Sequence, residues 1–258
     1  MKIAILTFDE PEFEPSYINT RNFGKGMFGE VFFTGKVKMS KIHTGVFKNR
    51  PFYKGLFFLF AQMYFKLKSK FFYSETIFDF LNKNNIKGTF FGVFNLIDKN
   101  IEKEYLFYIN IFKKIIENGH ELGLHGYRHG VLTNSECQHS IKLARELLNT
   151  ELQTYSSPWG ADQKSTRKIL CDNGFIGFRV WKFDDEISKN FIQARYVNNI
   201  DLHDELPELV VLNVHGPDFY PVGRKKIQSY IDILKSQNYV FMTFKEFVLL
   251  KLQEVNNE

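Results

Sequence analysis

Three apolar runs in this sequence each end in a residue suited to acid–base or metal chemistry. Ile3-Ala-Ile-Leu6 leads into Asp9-Glu10, Glu121-Leu-Gly-Leu124 into His125, and Leu209-Val-Val-Leu-Asn-Val214 into His215. A capping Asp or a loop His accounts for one such ending. Three of one chemical type point to a shared site, because functional groups of parallel α/β barrels sit where strands end and loops begin. His125-Gly-Tyr-Arg-His129 adds spacing. An i, i+4 pair brings two imidazoles to one side if the loop turns helically, and with one carboxylate it would form a metal-ligand set that leaves positions open for water and substrate.

The elements that must carry these groups alternate between short apolar runs and helical patterns, the signature of βα units. Ile3–Leu6, Thr89–Phe94, Glu121–Leu124, Ile176–Trp181 and Leu209–Val214 read as strands. Helices are expected from Ser74 to Asn84, from Ile101 to Asn118 with Gly119 closing it, and from Asn134 to Leu152. A further helix ends at Asn173-Gly174 with Asp162 as its cap, and Thr243-Phe-Lys-Glu246 has capping-box spacing for the last one. The pattern predicts one α/β barrel-like domain over 1–258 with a large insertion at about residues 12–74.

Bulk properties narrow the classes. With 258 residues, 44% hydrophobic and 24% charged, the chain can bury a large core and is not disordered. Cys137 and Cys171 cannot make a disulfide framework and are expected to be small, partly buried residues. Met1-Lys-Ile-Ala-Ile-Leu6 runs straight into Thr7-Phe8-Asp9 without a signal-peptide pattern, and no run approaches a bilayer span, so a cytoplasmic location is expected. Charge is uneven: between Glu30 and Glu75 there are nine Lys or Arg and no acidic residue, so a net charge of +5 divides into +9 there and −4 elsewhere. The same stretch holds 13 aromatics from Val31 to Ser74. As a helix, Phe52, Leu56, Leu59, Phe60, Met63 and Leu67 would share a face. Lys54, Lys66, Lys68 and Lys70 could then snorkel to phosphates while Phe52, Phe57, Phe58 and Phe60 enter the acyl region. Each basic residue near an anionic leaflet is worth about 1 kcal/mol. A helical lid packed on the domain is the alternative. With no RNA or DNA motif and an acidic body, nucleic acid is not an expected partner.

Asn118-Gly-His-Glu-Leu-Gly-Leu-His-Gly-Tyr-Arg-His129 resembles the second motif of the NodB-like polysaccharide deacetylase family. Leu6-Thr-Phe-Asp-Glu10 resembles its first motif, Lys87-Gly-Thr-Phe-Phe-Gly-Val93 its second-strand signature, and Val211-Leu-Asn-Val-His215 the late motif ending in histidine. The motifs come in family order, and only the insertion falls outside the resemblance. It implies a distorted or incomplete (β/α) barrel of the NodB-homology type, with an aromatic and basic insertion after the first strand. Pro158-Trp-Gly-Ala-Asp-Gln-Lys164 is similar to a segment of cytoplasmic deformylases and deacetylases of undecaprenyl-phosphate-linked amino sugars. That narrower resemblance implies a polyprenyl-phosphate-linked substrate, a role in modifying lipid A or another envelope glycan, and a peripheral position on the cytoplasmic face of the inner membrane.

The family resemblance also implies roles. Asp9 is the general base, His215 the general acid, and Glu10, His125 and His129 hold a divalent ion, Zn²⁺ in the family pattern, which activates water and polarises the amide carbonyl. The N–H of Trp159, just after Pro158, would help hold the oxyanion, and Asp162 either caps its helix or touches substrate. Two departures stand out. The usual metal aspartate is Glu10, one methylene longer, with Glu12 a competing ligand. The third motif normally opens with an arginine that orients the base, and Ser156 occupies that place. Arg179 or Arg128 would have to substitute, and Asp184 or Asp185 could orient His215 or Asp9. Deacetylation of a soluble oligosaccharide and a catalytically dead, membrane-associated sugar-binding protein are the alternative functions.

Overall fold

The computed structural model describes residues 1–9, 77–103, 105–158, 163–180, 186–188, 190–195, 206–215 and 222–257. The chain divides into two units, Met1–Glu12 with Ile77–Glu258, and Phe13–Thr76; the second lies outside the described residues, and with it the expected insertion.

The first unit runs β1 (Ile3–Asp9), α1 (Ile77–Lys83), β2 (Thr89–Gly92), a 3-10 turn (Phe94–Ile97), α2 (Tyr105–Glu117), β3 (Glu121–Leu124) and α3 (Asn134–Leu148). It continues through β4 (Thr154–Ser156), α4 (Gln163–Asp172), β5 (Gly177–Val180), β6 (Glu186–Ser188), β7 (Phe191–Arg195) and β8 (Leu209–His215). It closes with α5 (Val222–Ser236), β9 (Val240–Phe241) and α6 (Phe244–Asn257). The strands lie in the order β6-β7-β5-β4-β3-β2-β1-β8, with β9 beside the start of β1. Every neighbouring pair is parallel except β6 with β7. This is a nearly closed parallel (β/α) barrel of seven strands, with antiparallel β6 added beside β7 and the sheet open between β6 and β8 among the described residues, and it meets the fold expectation. The short strands β4, β6, β7 and β9 carry no strong apolar run and were not legible in the sequence.

Period-two alternation sorts the strands into an inner and an outer row. On β1, Ala4, Leu6 and Phe8 face the helices; Phe8 stacks on Phe90 at 4.7 Å, and Phe78 of α1 meets Phe90 edge-on at 5.5 Å. The inner row reads Ile3, Ile5, Thr7, Asp9. Its apolar half joins Phe91, Ile192, Ala194 and Val211 in one buried cluster with Phe244, Phe247 and Val248, so α6 covers the N-terminal end of the barrel. That helix is held at its start by a polar ring. Thr89 Oγ1 donates to Glu121 Oε2 at 2.7 Å, Lys245 N–H to the same oxygen at 2.8 Å, and Thr154 Oγ1 to Glu121 Oε1. Burial pushes the Glu121 carboxyl upward, against these hydrogen bonds. The expected capping box of this helix is present: Glu246 N–H donates to Thr243 Oγ1 at 3.2 Å and Thr243 N–H to Glu246 Oε2 at 2.7 Å. Among the described residues no helix is long and apolar enough to cross a membrane.

Candidate active site

The polar half of the inner row builds the opposite, C-terminal end. Asp9 ends β1 and is the register partner of Phe91 on β2 and His215 on β8, while Ser156 on β4 is the partner of Arg179 on β5. Arg179 spans the barrel mouth. Its Nη2 donates to Asp9 Oδ1 at 2.7 Å and Oδ2 at 2.6 Å and to Ser156 Oγ, and its Nη1 donates to Thr7 Oγ1 at 2.8 Å. Thr7 Oγ1 passes its own proton to the Leu212 carbonyl at 2.9 Å. The guanidinium lies 5.1 Å from the Phe91 ring centre. Both side chains of the pair are buried, 1% exposed for Arg179 and 5% for Asp9. Such a charge is tolerable in a dry interior only because it is paired and hydrogen-bonded. Of the two arginines considered for the place left open by Ser156, Arg179 therefore reaches Asp9. Arg128 is exposed and sits 3.6 Å from Glu136. Ser156 is a partner in the network: a side chain this small leaves room for an arginine arriving from the next strand.

His125 follows β3, and its ring is fixed from behind. Its Nδ1 lies 2.9 Å from the Ser156 carbonyl, which can only accept, so Nδ1 carries a proton, and in the neutral ring Nε2 presents a lone pair. Nε2 stands 4.0 Å from Asp9 Oδ2. A histidine whose far nitrogen donates to a carbonyl is in the tautomer that a metal requires. The His129 ring centre is 4.9 Å away from that of His125. The approach does not come from a helical turn, as the spacing suggested. Gly126 at φ 82° and His129 at φ 51° both occupy left-handed backbone and fold the loop back. Two imidazoles with a nearby carboxylate fit a borderline divalent ion such as Zn²⁺. Among the described residues no group of three or more His, Cys, Asp or Glu is spaced to hold a metal by itself.

Several expected site residues lie outside the described residues: Glu10 and Glu12, Trp159 and Asp162, Asp184 and Asp185, and the membrane set of Phe52, Lys54, Phe57, Phe58, Phe60, Lys66, Lys68 and Lys70. His215 is described by its backbone register with Asp9. Pro158 is buried just beyond β4, and its ring is the neighbour that a Cβ on Gly126 would meet, so the two loops adjoin. His120 packs in the core on Phe78 and Phe90, and burial together with Lys87 pushes its pKa down to about 4. His139 is half-buried against Asp98, which supplies an acceptor 2.7 Å from Nε2. One sequence expectation, that both cysteines are partly buried, is corrected. Cys171 is exposed on α4, whereas Cys137 is fully buried, and burial pushes its thiol up to about 12. Thr7 was missed, although its place two residues before Asp9 on the same strand face is a usable signal. Asp98 and His139 had no such signal.

A parallel barrel with an arginine-held aspartate and two imidazoles at its C-terminal mouth is an arrangement able to combine a carboxylate base with nitrogen ligands for a divalent ion. The family model described as polysaccharide deacetylase matches residues 69–176. The chain is 28% identical over 180 residues to a peptidoglycan-N-acetylglucosamine deacetylase of Bacillus cereus, covering 66% of this chain and 62% of that protein. It is 25% identical over 189 residues to a protein of the same description from Listeria monocytogenes, covering 69% of this chain and 36% of the other. The chain thus spans less than two thirds of the length of these relatives. A Mycobacterium smegmatis structure described as a polysaccharide deacetylase superposes with a TM-score of 0.58 at 13% identity, over 99% of this chain and 91% of that one. An allantoinase structure gives 0.52 at 16% identity over 67% and 69%; both are likenesses of fold. Residues 69–176 thus resemble polysaccharide deacetylases in sequence, and the described barrel resembles one of them in fold.

Proposed function

We propose that this chain hydrolyses the N-acyl amide of an amino sugar. The observation that carries the reading is the Asp9 carboxylate, gripped by Arg179 and facing Nε2 of His125 at 4.0 Å. His125, His129 and Glu10 would hold a divalent ion, which when bound supplies Lewis-acid polarisation of the amide carbonyl and acidifies water. Asp9 takes the proton of the attacking water. Arg179 keeps that carboxylate in one orientation for the transfer. The hydrogen bond from His125 to the Ser156 carbonyl orients the imidazole. His215 delivers a proton to the departing amine, and the Trp159 N–H steadies the oxyanion. Acetate or formate release should disappear in Asp9→Asn and on chelation, and return with Zn²⁺ only in the unmutated chain. Activity surviving both treatments would refute the reading.

For the substrate, the proposal is an N-acylhexosamine carried on polyprenyl phosphate at the cytoplasmic face of the inner membrane, for modification of lipid A or another envelope glycan. It is supported by the Ala161-Asp162-Gln163 resemblance and by the basic, Phe-rich stretch around residues 46–73. A polyprenyl tail cannot leave the bilayer, so the barrel has to come to it. The second reading, a glycan substrate free of lipid, is favoured by the relatives, which are described as peptidoglycan-N-acetylglucosamine deacetylases. Deleting residues 46–73 separates the two. Turnover lost on the vesicle-borne substrate but kept on a soluble chitooligosaccharide supports the lipid carrier, and equal turnover on both supports the second reading.

A further inference from the structure

Behind the two imidazoles lies a polar cluster that the reaction itself does not use. Tyr127, in the middle of His125-Gly-Tyr-Arg-His129, is buried and donates its phenol proton to Asp98 Oδ2 at 2.6 Å. His139 Nε2, from α3, donates to the same oxygen at 2.7 Å, and the Asn100 N–H donates to Asp98 Oδ1 at 2.9 Å. The edge of the His139 ring also packs on Tyr127, with centroids 5.3 Å apart. Two backbone bonds tie the same loop to the 3-10 turn: Phe94 N–H to the Gly126 carbonyl at 3.2 Å, and Asn95 N–H to the Tyr127 carbonyl at 2.8 Å. Burial by itself would raise the Asp98 carboxyl; the bonds from Tyr127, His139 and Asn100 outweigh it and hold it at about 2. Asp98 is therefore a fixed anion with three donors from three places. The loop needs such an anchor. His129 itself sits in left-handed backbone at φ 51°, a conformation costly for a residue with a Cβ, whereas Gly126 adopts it freely.

We infer that Asp98, Tyr127 and His139 are positioning residues that set the spacing and orientation of His125 and His129 for a divalent ion, an inference that rests on those two histidines holding the metal. The clamp joins the loop to the β2–α2 connection and to α3, so the imidazoles inherit the rigidity of two neighbouring elements.

Titration of the metal-free full chain with Co²⁺, followed by its visible absorption, tests this without recourse to turnover. Tyr127→Phe and His139→Ala should each weaken Co²⁺ binding by about 10–100-fold and alter the ligand-field bands, as loss of an outer-shell partner does. His139→Gln, which keeps a donor for Asp98, should recover most of the affinity. His139 is half-buried, so its variants keep the fold testable by circular dichroism even if Tyr127→Phe does not fold. Binding within twofold of the parent with unchanged bands in both Tyr127→Phe and His139→Ala, while His125→Ala loses Co²⁺, overturns the clamp and leaves the metal reading standing. A parent that binds no Co²⁺, or a His125→Ala chain that binds it unchanged, overturns both.

Discussion

Replacing Arg179 by Met removes the charge and all the donors that hold Asp9 while keeping most of the side-chain volume. The pair is buried, with two contacts of 2.6 and 2.7 Å. At an effective dielectric of ~20 and charge centres ~4 Å apart, the attraction is about 4 kcal/mol. Desolvation of both ions offsets much of that in the intact pair, yet an Asp9 left alone keeps its own desolvation cost, so the single variant should lose about 3–5 kcal/mol. Asp9→Asn alone strands the guanidinium and should also be costly. The double variant Asp9→Asn with Arg179→Met strands neither charge. Urea denaturation of the four chains should therefore show a double variant about 2 kcal/mol or more better than the sum of the singles. On turnover, Arg179→Lys should fall between parent and Arg179→Met. An ammonium replaces the charge but not the planar fork that reaches Asp9, Ser156 and Thr7 together. Additivity within about 0.5 kcal/mol would refute the reasoning, since it would mean that Asp9 and Arg179 do not depend on one another.

Gly123 of β3 faces the barrel interior, where a Cβ would meet the Phe91 ring at 2.6 Å and Thr154 Oγ1 at 2.8 Å. Gly123→Ala should destabilise by about 1–3 kcal/mol in urea and, because Phe91 underlies Arg179, should lower turnover as well. His120 gives a pH dependence. Its folded pKa, about 4, lies below the ordinary 6.5, so its contribution is fully present above pH 6.5 and is lost as pH falls towards 4. The shift corresponds to about 3 kcal/mol, and the slope of stability between these pH values should be markedly shallower in His120→Phe when the two chains are compared by denaturant melts.

Local patterns carried much of this protein. The capping box at Thr243 and Glu246, the strand at Glu121–Leu124, the inner row of β1 and the HxxxH segment follow from periodicity or spacing of a few residues, and these are encoded along the chain. The ends of the strands at Asp9, His125 and His215 were legible for the same reason. What chain order could not decide is which groups meet across the barrel. Arg179 and Asp9 are 170 positions apart and join only because β1 and β5 face each other across its mouth. Read alone, Ser156 looked like a missing arginine; strand register made it the partner of one supplied by the next strand. The sequence likewise placed His125 beside His129, but its tautomer depends on a carbonyl 31 positions away, and the clamp behind it on Asp98 and His139, 41 positions apart. Periodicity determined which side chains line the barrel and which strand ends bear chemistry. Register and burial decided which of them pair, because the cost of an unpaired charge or donor is incurred only where tertiary structure excludes water.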